Sequence, residues 1–507
     1  LILAAVYFIL FSFWLSKSSF FKDDRLSLRY IFIFLSVKVA ACFAYYWVYF
    51  CYYPAGFNGD SVSTLHDAEI MFSALPEHPM DYIRMVFGLH SELDSDPLYD
   101  PYFKNIEKWG RADVTSNFFL NDNRTPIRFN ALIRLFSFGK YAVHGFVMLA
   151  ISFVGQYAFY KTFKPYFPGK EIFLAFILFL TPSVLFWTSG VLKEPIAICL
   201  LGLFSYGFFK TAVHAQFRWN YILLLLFSAA IFLIIKPYIL VVILIPYTLF
   251  ALVNHFKIKR LLLFYFGWIT LAYLGTAVVL KVFFDKDVLH TIVVRQNDFV
   301  SLSKGGIFFI NGDKYVRLEY KDSTHYKEVG KNGNLFQLDR HSAFMYWNTH
   351  NLRDTIYETN NKDTSYFEMR AICAPSGSAI NIDRLQYSFP SFAKLIPLSF
   401  YNVLCKPFFY DSCSLLEHLA SVENLAIFLF FIICFVLRNR SIKDVNLLFC
   451  FCCIVIVSYV LIGITTTVMG AIVRYKVPFL PFLLMIPLLF LDSAFFKRIP
   501  FFKRLVK

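Results

Sequence analysis

Eleven separate apolar runs punctuate the chain, at about residues 1–16, 30–53, 141–160, 171–189, 194–213, 219–235, 238–254, 261–283, 418–437, 444–465 and 477–495. A helix covers the hydrocarbon core of a bilayer, about 30 Å, with roughly 20 apolar residues, and inside lipid every backbone amide must be satisfied within its own segment. Runs of this length and number point to an all-α, polytopic membrane protein with about 11 transmembrane helices. Composition agrees. Of 507 residues, 58% are hydrophobic, 20% aromatic and only 16% charged, whereas an ordinary globular domain carries roughly 25% charge. A soluble enzyme, a disordered chain and a small disulfide scaffold are excluded. The first run rises only about 24 Å and begins at Leu1, so the natural chain is expected to start further upstream. A cleaved leader is the alternative, but no basic segment precedes the run and no A-x-A site follows it.

Orientation follows from the bases in the short connections. One alternating set holds Lys17, Lys22, Arg25 and Arg29, then Lys161, Lys164 and Lys170, then Lys210 and Arg218, then Lys257, Lys259 and Arg260, then Arg438, Arg440 and Lys443, with five more in the tail from Lys497 to Lys507. The other set holds Lys193, Lys236, Arg474 and Lys476. Twenty bases against four assign the first set to the cytoplasmic side. The same asymmetry explains much of the net charge of +15, so no nucleic-acid partner is needed. A multi-pass membrane location is expected.

Two long segments then fall outside the cytoplasm, at about 54–140 and 284–417. This divides the chain into an N-terminal transmembrane region, 1–283, an extracytoplasmic insertion with an interfacial segment, 284–417, and C-terminal helices with a basic tail, 418–507. In the first loop Arg124, Arg128 and Arg134 alternate with Ile127, Phe129, Leu132, Ile133, Leu135 and Phe136. That pattern predicts a helix lying in the interface, with arginines at the headgroups. In the second, short alternating runs such as 315–320 and 336–339 are separated by turn signals at 304–306, 311–313 and 331–333, which predicts a small, mostly β insertion at about 300–390.

The residues able to carry chemistry cluster on the outer side. Asp60, in Phe57-Asn-Gly-Asp-Ser61, stands where the second span leaves the membrane. A half-desolvated carboxylate there suits general-base work, and it equally suits a helix cap, with Ser61 and Ser63 as further capping candidates. Lys193 and Lys236 lie in minimal turns, and Arg474 just precedes the last run. Each could be a snorkelling anchor. Together, on the side that should hold few bases, they point to one anion site for a lipid phosphate or diphosphate. His66, Asp67 and Glu69 could hold a divalent cation with Asp60, although Asp60, Asp67 and Glu69 do not share one helical face. Lys406, Glu417, His418 and Glu423 could reach the same cavity, Lys38 is close enough to the cytoplasmic end to snorkel, and His144 is expected at the interface. Cys42, Cys199, Cys434, Cys450, Cys452 and Cys453 read as small core residues, and the spacing of the last three makes no zinc site. Cys405 and Cys413 could pair in an oxidising compartment.

With these residues in view, the chain resembles the polytopic bacterial glycosyltransferases of the GT-C superfamily and is similar to uncharacterised membrane proteins of Bacteroidota. The resemblance rests on Asp60 after an early span, on Pro182-Ser-Val-Leu-Phe-Trp-Thr-Ser-Gly-Val-Leu-Lys-Glu194, on the stretch from Ile396 to Asn424 with Lys406-Pro-Phe-Phe in it, and on Arg474-Tyr-Lys-Val-Pro-Phe-Leu-Pro-Phe482. It covers most of the membrane part and not clearly residues 307–380. Many members carry a paired acidic motif in the first outer loop, where this chain has Asp60 alone and Asp67 and Glu69 further on.

The resemblance implies transfer of a sugar from a polyprenyl-phosphate donor to an extracytoplasmic glycan, lipid or protein acceptor, with inversion. Asp60 would be the base, and Lys193, Lys236 and Arg474 would bind the phosphate. Two other readings stay open. One is a polysaccharide polymerase or ligase using lipid-diphosphate glycans. The other is a non-enzymatic transporter or complex subunit, although a transporter would favour internal repeats and none is visible.

Overall fold

The computed structural model describes residues 2–53, 59–89, 97–98, 100–106, 123–285, 287–311, 314–318, 326–328, 335–338, 343–348, 353–358, 367–373, 376–380, 382–411, 414–438 and 444–492. Its contacts divide the chain into two compact units, Leu1–Ile269 with Ile427–Val455 and Val477–Lys507, and Thr270–Ala426 with Ile456–Lys476.

The helices, in chain order, are α1 (Ile2–Lys17), α2 (Leu28–Trp47), α3 (Asp60–Ser73), α4 (Pro79–Phe87), α5 (Arg124–Ser137), α6 (Tyr141–Phe163), α7 (Glu171–Leu180), α8 (Pro182–Trp187), α9 (Lys193–Phe208), α10 (Trp219–Ile235), α11 (Pro237–Phe256), α12 (Leu261–Phe284), α13 (Val288–Lys304), α14 (Phe389–Cys405), α15 (Leu415–Val436), α16 (Val445–Thr465), α17 (Met469–Tyr475) and α18 (Leu480–Phe490). Among the described residues seven helices are long and apolar enough to cross a membrane, or eight if α17 and α18 form one broken span. The chain is therefore a helical, multi-pass membrane protein.

The apolar runs outnumber these spans for local reasons. The run expected at 171–189 is cut into α7 and α8 at Thr181, whose ψ of 120° is extended. Pro182 follows it, and a proline pushes the residue before it out of the helical region. Helices α1 and α10, at 16 and 17 residues, fall short of the roughly 20 a perpendicular span needs.

In the first unit α6 is buried along almost its whole length. Lipid tails are as apolar as leucine, so burial of oily surface gives little drive for helices to associate in a membrane. Close van der Waals packing and hydrogen bonds do that work. Helices α6 and α9 achieve it with glycine: a Cβ added at Gly202 would lie 1.8 Å from the carbonyl oxygen of Gly155. Around them an aromatic core forms. Phe163 lies 5.1 Å from Phe209 and 5.2 Å from Phe451, centroid to centroid, and Tyr247 hydrogen-bonds Ser205 at 2.9 Å. By contrast α12 turns Leu262, Leu263, Phe266, Leu271, Leu274 and Val278 outward, as a helix surrounded by lipid does.

The described helices of the first loop pack on one another. Helices α3, α4 and α5 enclose a core of Ala68, Met71, Tyr82, Met85, Ile127 and Ala131. Helix α5 forms where the alternating pattern placed it, but its arginines turn inward rather than to headgroups. Arg124 is buried, Arg128 Nε donates to the Met85 carbonyl at 3.2 Å, and Arg134 pairs with Glu69 at 2.6 Å. These partners on α3 and α4 offer fixed acceptors, and the exposed side is left to Leu132, Leu135 and Phe136. His144 is likewise buried rather than interfacial. Its Nδ1 meets Asn130 Oδ1 at 2.9 Å and its Nε2 meets Ser137 Oγ at 2.8 Å, which fastens α5 to α6.

In the second unit, Gln296 and Asn297 of α13 bind the backbone of 383–385. The Ile380 amide donates to the Thr467 carbonyl at 2.7 Å, and the Met469 amide to Ser378 at 2.9 Å. Seven antiparallel strands follow α13: β1 (Gly306–Asn311), β2 (Lys314–Leu318), β3 (Tyr326–Glu328), β4 (Leu335–Leu338), β5 (Ala343–Asn348), β6 (Arg353–Glu358) and β7 (Phe367–Cys373). Their order is β3-β4-β7-β1-β2-β5-β6. The β1–β2 pair runs from Ile307 opposite Leu318 to Asn311 opposite Lys314.

Candidate functional site

Helix α3 begins at Asp60, and its N-cap is Gly59, in extended conformation and without a side-chain cap. The Gly59 carbonyl accepts the amides of Val62 and Ser63. Asp60 is thus the first helical residue, not the cap, and its side chain is exposed. A carboxylate in the first turn still gains from the partial positive charge of the helix start.

The next residue ties α3 down. Ser61 Oγ donates to the Val191 carbonyl at 2.8 Å and lies 2.7 Å from Tyr45 Oη. With its one hydrogen spent on Val191, Ser61 accepts from the tyrosine. Tyr45 also presses its ring on Gly190, where an added Cβ would come within 2.6 Å of it. Asp60 therefore stands one residue from a contact that lies two residues before Lys193.

Lys193 is the first residue of α9, and it and Glu194 are buried. Lys236, in the turn from α10 to α11, reaches Glu194 Oε1 at 3.1 Å, and neither side chain is more than 3% exposed. Two charges this deep are tolerated because they compensate each other. The structure thus ties Ser61, the neighbour of Asp60, to Val191, two residues before Lys193, and it engages Lys236 with a carboxylate inside the protein. The sequence analysis gave the Glu194 side chain no role, although a Glu beside a Lys in a minimal turn, with a second Lys in the next minimal turn at 236, is the signal that identifies it.

The other acidic candidates diverge. Asp67 is buried, with His66 Nδ1 3.5 Å from its Oδ1. Glu69 leans the other way to Arg134. Among the described residues no three His, Cys, Asp or Glu side chains group as metal ligands.

Beneath these residues lies a polar network. Lys38 does not snorkel to a membrane edge. It is 1% exposed, and its Nζ donates to Gln156 Oε1 at 2.9 Å and to Thr188 Oγ1 at 2.5 Å. Gln156 Nε2 passes on to the Leu178 carbonyl at 2.7 Å, and Ser152 Oγ holds the Thr188 carbonyl at 2.8 Å. Periodicity alone hid this, because Lys38 is a lone charge in the apolar middle of α2.

Arg474 and Lys406 belong to the second unit. Arg474 lies in the last turn of α17, and Lys406 lies 3.8 Å from Asp411. Lys476, 2% exposed, donates to Asn424 Oδ1 at 2.9 Å, and Asn424 Nδ2 reaches the Cys405 and Pro407 carbonyls at 3.4 and 3.3 Å. Glu417 and Glu423 are buried. Cys405 is a free thiol, and Cys413 lies outside the described residues. No family model matches the chain, and neither a curated protein nor a solved structure matches it.

Proposed function

We propose that the chain is a membrane glycosyltransferase of the kind its sequence resembles, moving a sugar from a polyprenyl-phosphate donor to an acceptor hydroxyl on the extracytoplasmic side. The observation that supports this most is the Ser61–Val191 hydrogen bond, which ties α3, one residue after Asp60, to the connection that opens α9 at Lys193. Asp60 takes the proton from the acceptor hydroxyl as that oxygen attacks the anomeric carbon. The bond from that carbon to the phosphate oxygen breaks, and the configuration inverts. Negative charge then grows on the leaving phosphate, where Lys193 and the amides at the start of α9 stabilise it. Lys236 serves by fixing Glu194 rather than by meeting the phosphate. The first unit carries these roles. Residues 284–417, in this proposal, face the acceptor.

The test is purified protein in lipid, wild type beside Asp60→Asn, given radiolabelled polyprenyl-phosphate sugars and a membrane extract. Label leaves the lipid with the wild type and stays with the variant. Equal transfer by both removes Asp60 as base. No transfer from any monophosphate donor, with transfer from lipid-diphosphate glycans, replaces this activity by that of a polymerase or ligase.

A further inference from the structure

An intramembrane ammonium group is costly, on the order of 3 kcal/mol at the centre of a span. Lys38 lies about 15 Å along α2 from Leu28, yet both of its hydrogen-bond partners, Gln156 and Thr188, are neutral. Elsewhere in the same unit a buried lysine is matched by a carboxylate, Lys236 by Glu194. Helix α2 could be glued to α6 more cheaply by a side-chain amide, so a lysine here calls for a use beyond adhesion.

Its partners show what it controls. Thr188 closes α8 and opens the connection 188–192 that leads to Lys193. That connection is held at one end by Lys38 on Thr188 Oγ1 and Ser152 on the Thr188 carbonyl. In its middle it is held by Tyr45 against Gly190 and by Ser61 on Val191. Lys38 and Tyr45 stand seven residues apart on α2, two helical turns along one face. One face of α2 thus fixes the first residue and the middle of a five-residue segment that leads to Lys193, and Ser61, next to Asp60, holds it at Val191.

We propose that Lys38 is a positioning residue for the Asp60–Lys193 site. Through Thr188 it sets where α9 begins, and so where Lys193 meets the departing phosphate. This inference rests on the proposed glycosyl transfer for its chemistry, but its structural half can be read without any activity.

The experiment compares wild type, Lys38→Met, Thr188→Val and the double variant, all full length in lipid nanodiscs. Amide hydrogen exchange followed by mass spectrometry is the first readout. Exchange at 188–193 is expected to quicken about tenfold in each variant, with α18 unchanged. Transfer from the polyprenyl-phosphate donor is the second. Because Lys193 acts on charge that develops in the transition state, kcat falls about tenfold while KM for the donor holds, and the double variant falls no further than either single one. Exchange that quickens everywhere, or not at all at 188–193, overturns the proposal, as does a double variant whose losses multiply. A wild type that transfers no sugar defeats the glycosyl-transfer assignment, and the exchange result still decides the role of Lys38.

Discussion

Helices α6 and α9 approach so closely that the smallest possible enlargement is a severe test of how the bundle is held. A Cβ at position 202 would lie 1.8 Å from the Gly155 oxygen and 2.5 Å from its carbonyl carbon, while one at 155 would lie 2.3 Å from the Cys199 Cα. Each obstacle is backbone, so no rotamer change relieves the clash. Restoring ordinary contact from 1.8 Å requires the helix axes to part by about 1.6 Å at the crossing, which strips dispersion contacts from neighbouring side chains as well. Overpacking of this kind typically costs 1–3 kcal/mol, and with rigid backbone on both sides Gly202→Ala belongs at the upper end, about 3 kcal/mol. Gly267→Ala is the control. Nothing lies within 4 Å of its added Cβ, and alanine is the better helix former by about 1 kcal/mol. Thermal unfolding in matched detergent should place Gly202→Ala several degrees below wild type and Gly267→Ala at or above it. The same displacement moves the start of α9, so transfer should fall with stability. Equal midpoints for the two variants would refute the close-packed crossing.

Two further outcomes follow from charged groups. Lys236→Met and Glu194→Gln should each destabilise the first unit by about 3–5 kcal/mol, because each strands a buried partner, and the double variant should recover most of the loss; a double variant as unstable as the sum of the single ones would remove the pair from its role. In the second unit Asp287 is partly buried, which works against its charge, but the His290 amide and the Tyr387 hydroxyl, at 3.0 and 2.7 Å, hold its carboxyl below the ordinary 3.8. A lowered folded pKa gives stability that is complete above that ordinary value and is lost as pH falls below it, so Tyr387→Phe should flatten the acid-side loss in a proteolysis series across residues 284–417. Superimposable acid profiles would show the contact to be without effect.

What the sequence disclosed and what it withheld divide along physical lines. Apolar runs are local, and each of the eleven contains helix among its described residues, but whether a run spans depends on breaks such as Thr181-Pro182 that interrupt a helix without lowering its hydropathy. The helix at 124–137 was legible from its alternation, while the direction of its arginines was not, because Glu69 and the Met85 carbonyl come from other helices. Asp60, Lys193 and Lys236 stood out as charges in the wrong places. What ties their elements together is Ser61 and Glu194, whose contacts lie 130 and 42 residues away in sequence. Lys38 was misjudged for the same reason: depth along a helix can be counted, whereas a partner on another helix cannot.

The contacts of Lys38 also bear on how the chain is made. Its two partners are 118 and 150 residues further along. At a synthesis rate of about 5–20 residues per second, α2 is complete roughly 6 to 30 s before Gln156 and Thr188 exist. During that interval the span carries an ammonium group that nothing in the nascent chain can satisfy, so its place in the bilayer is provisional. The insertion machinery, or the water-lined route it offers, must shelter α2 until α6 and α8 arrive, and the second span of the sequence becomes one of the later ones to settle.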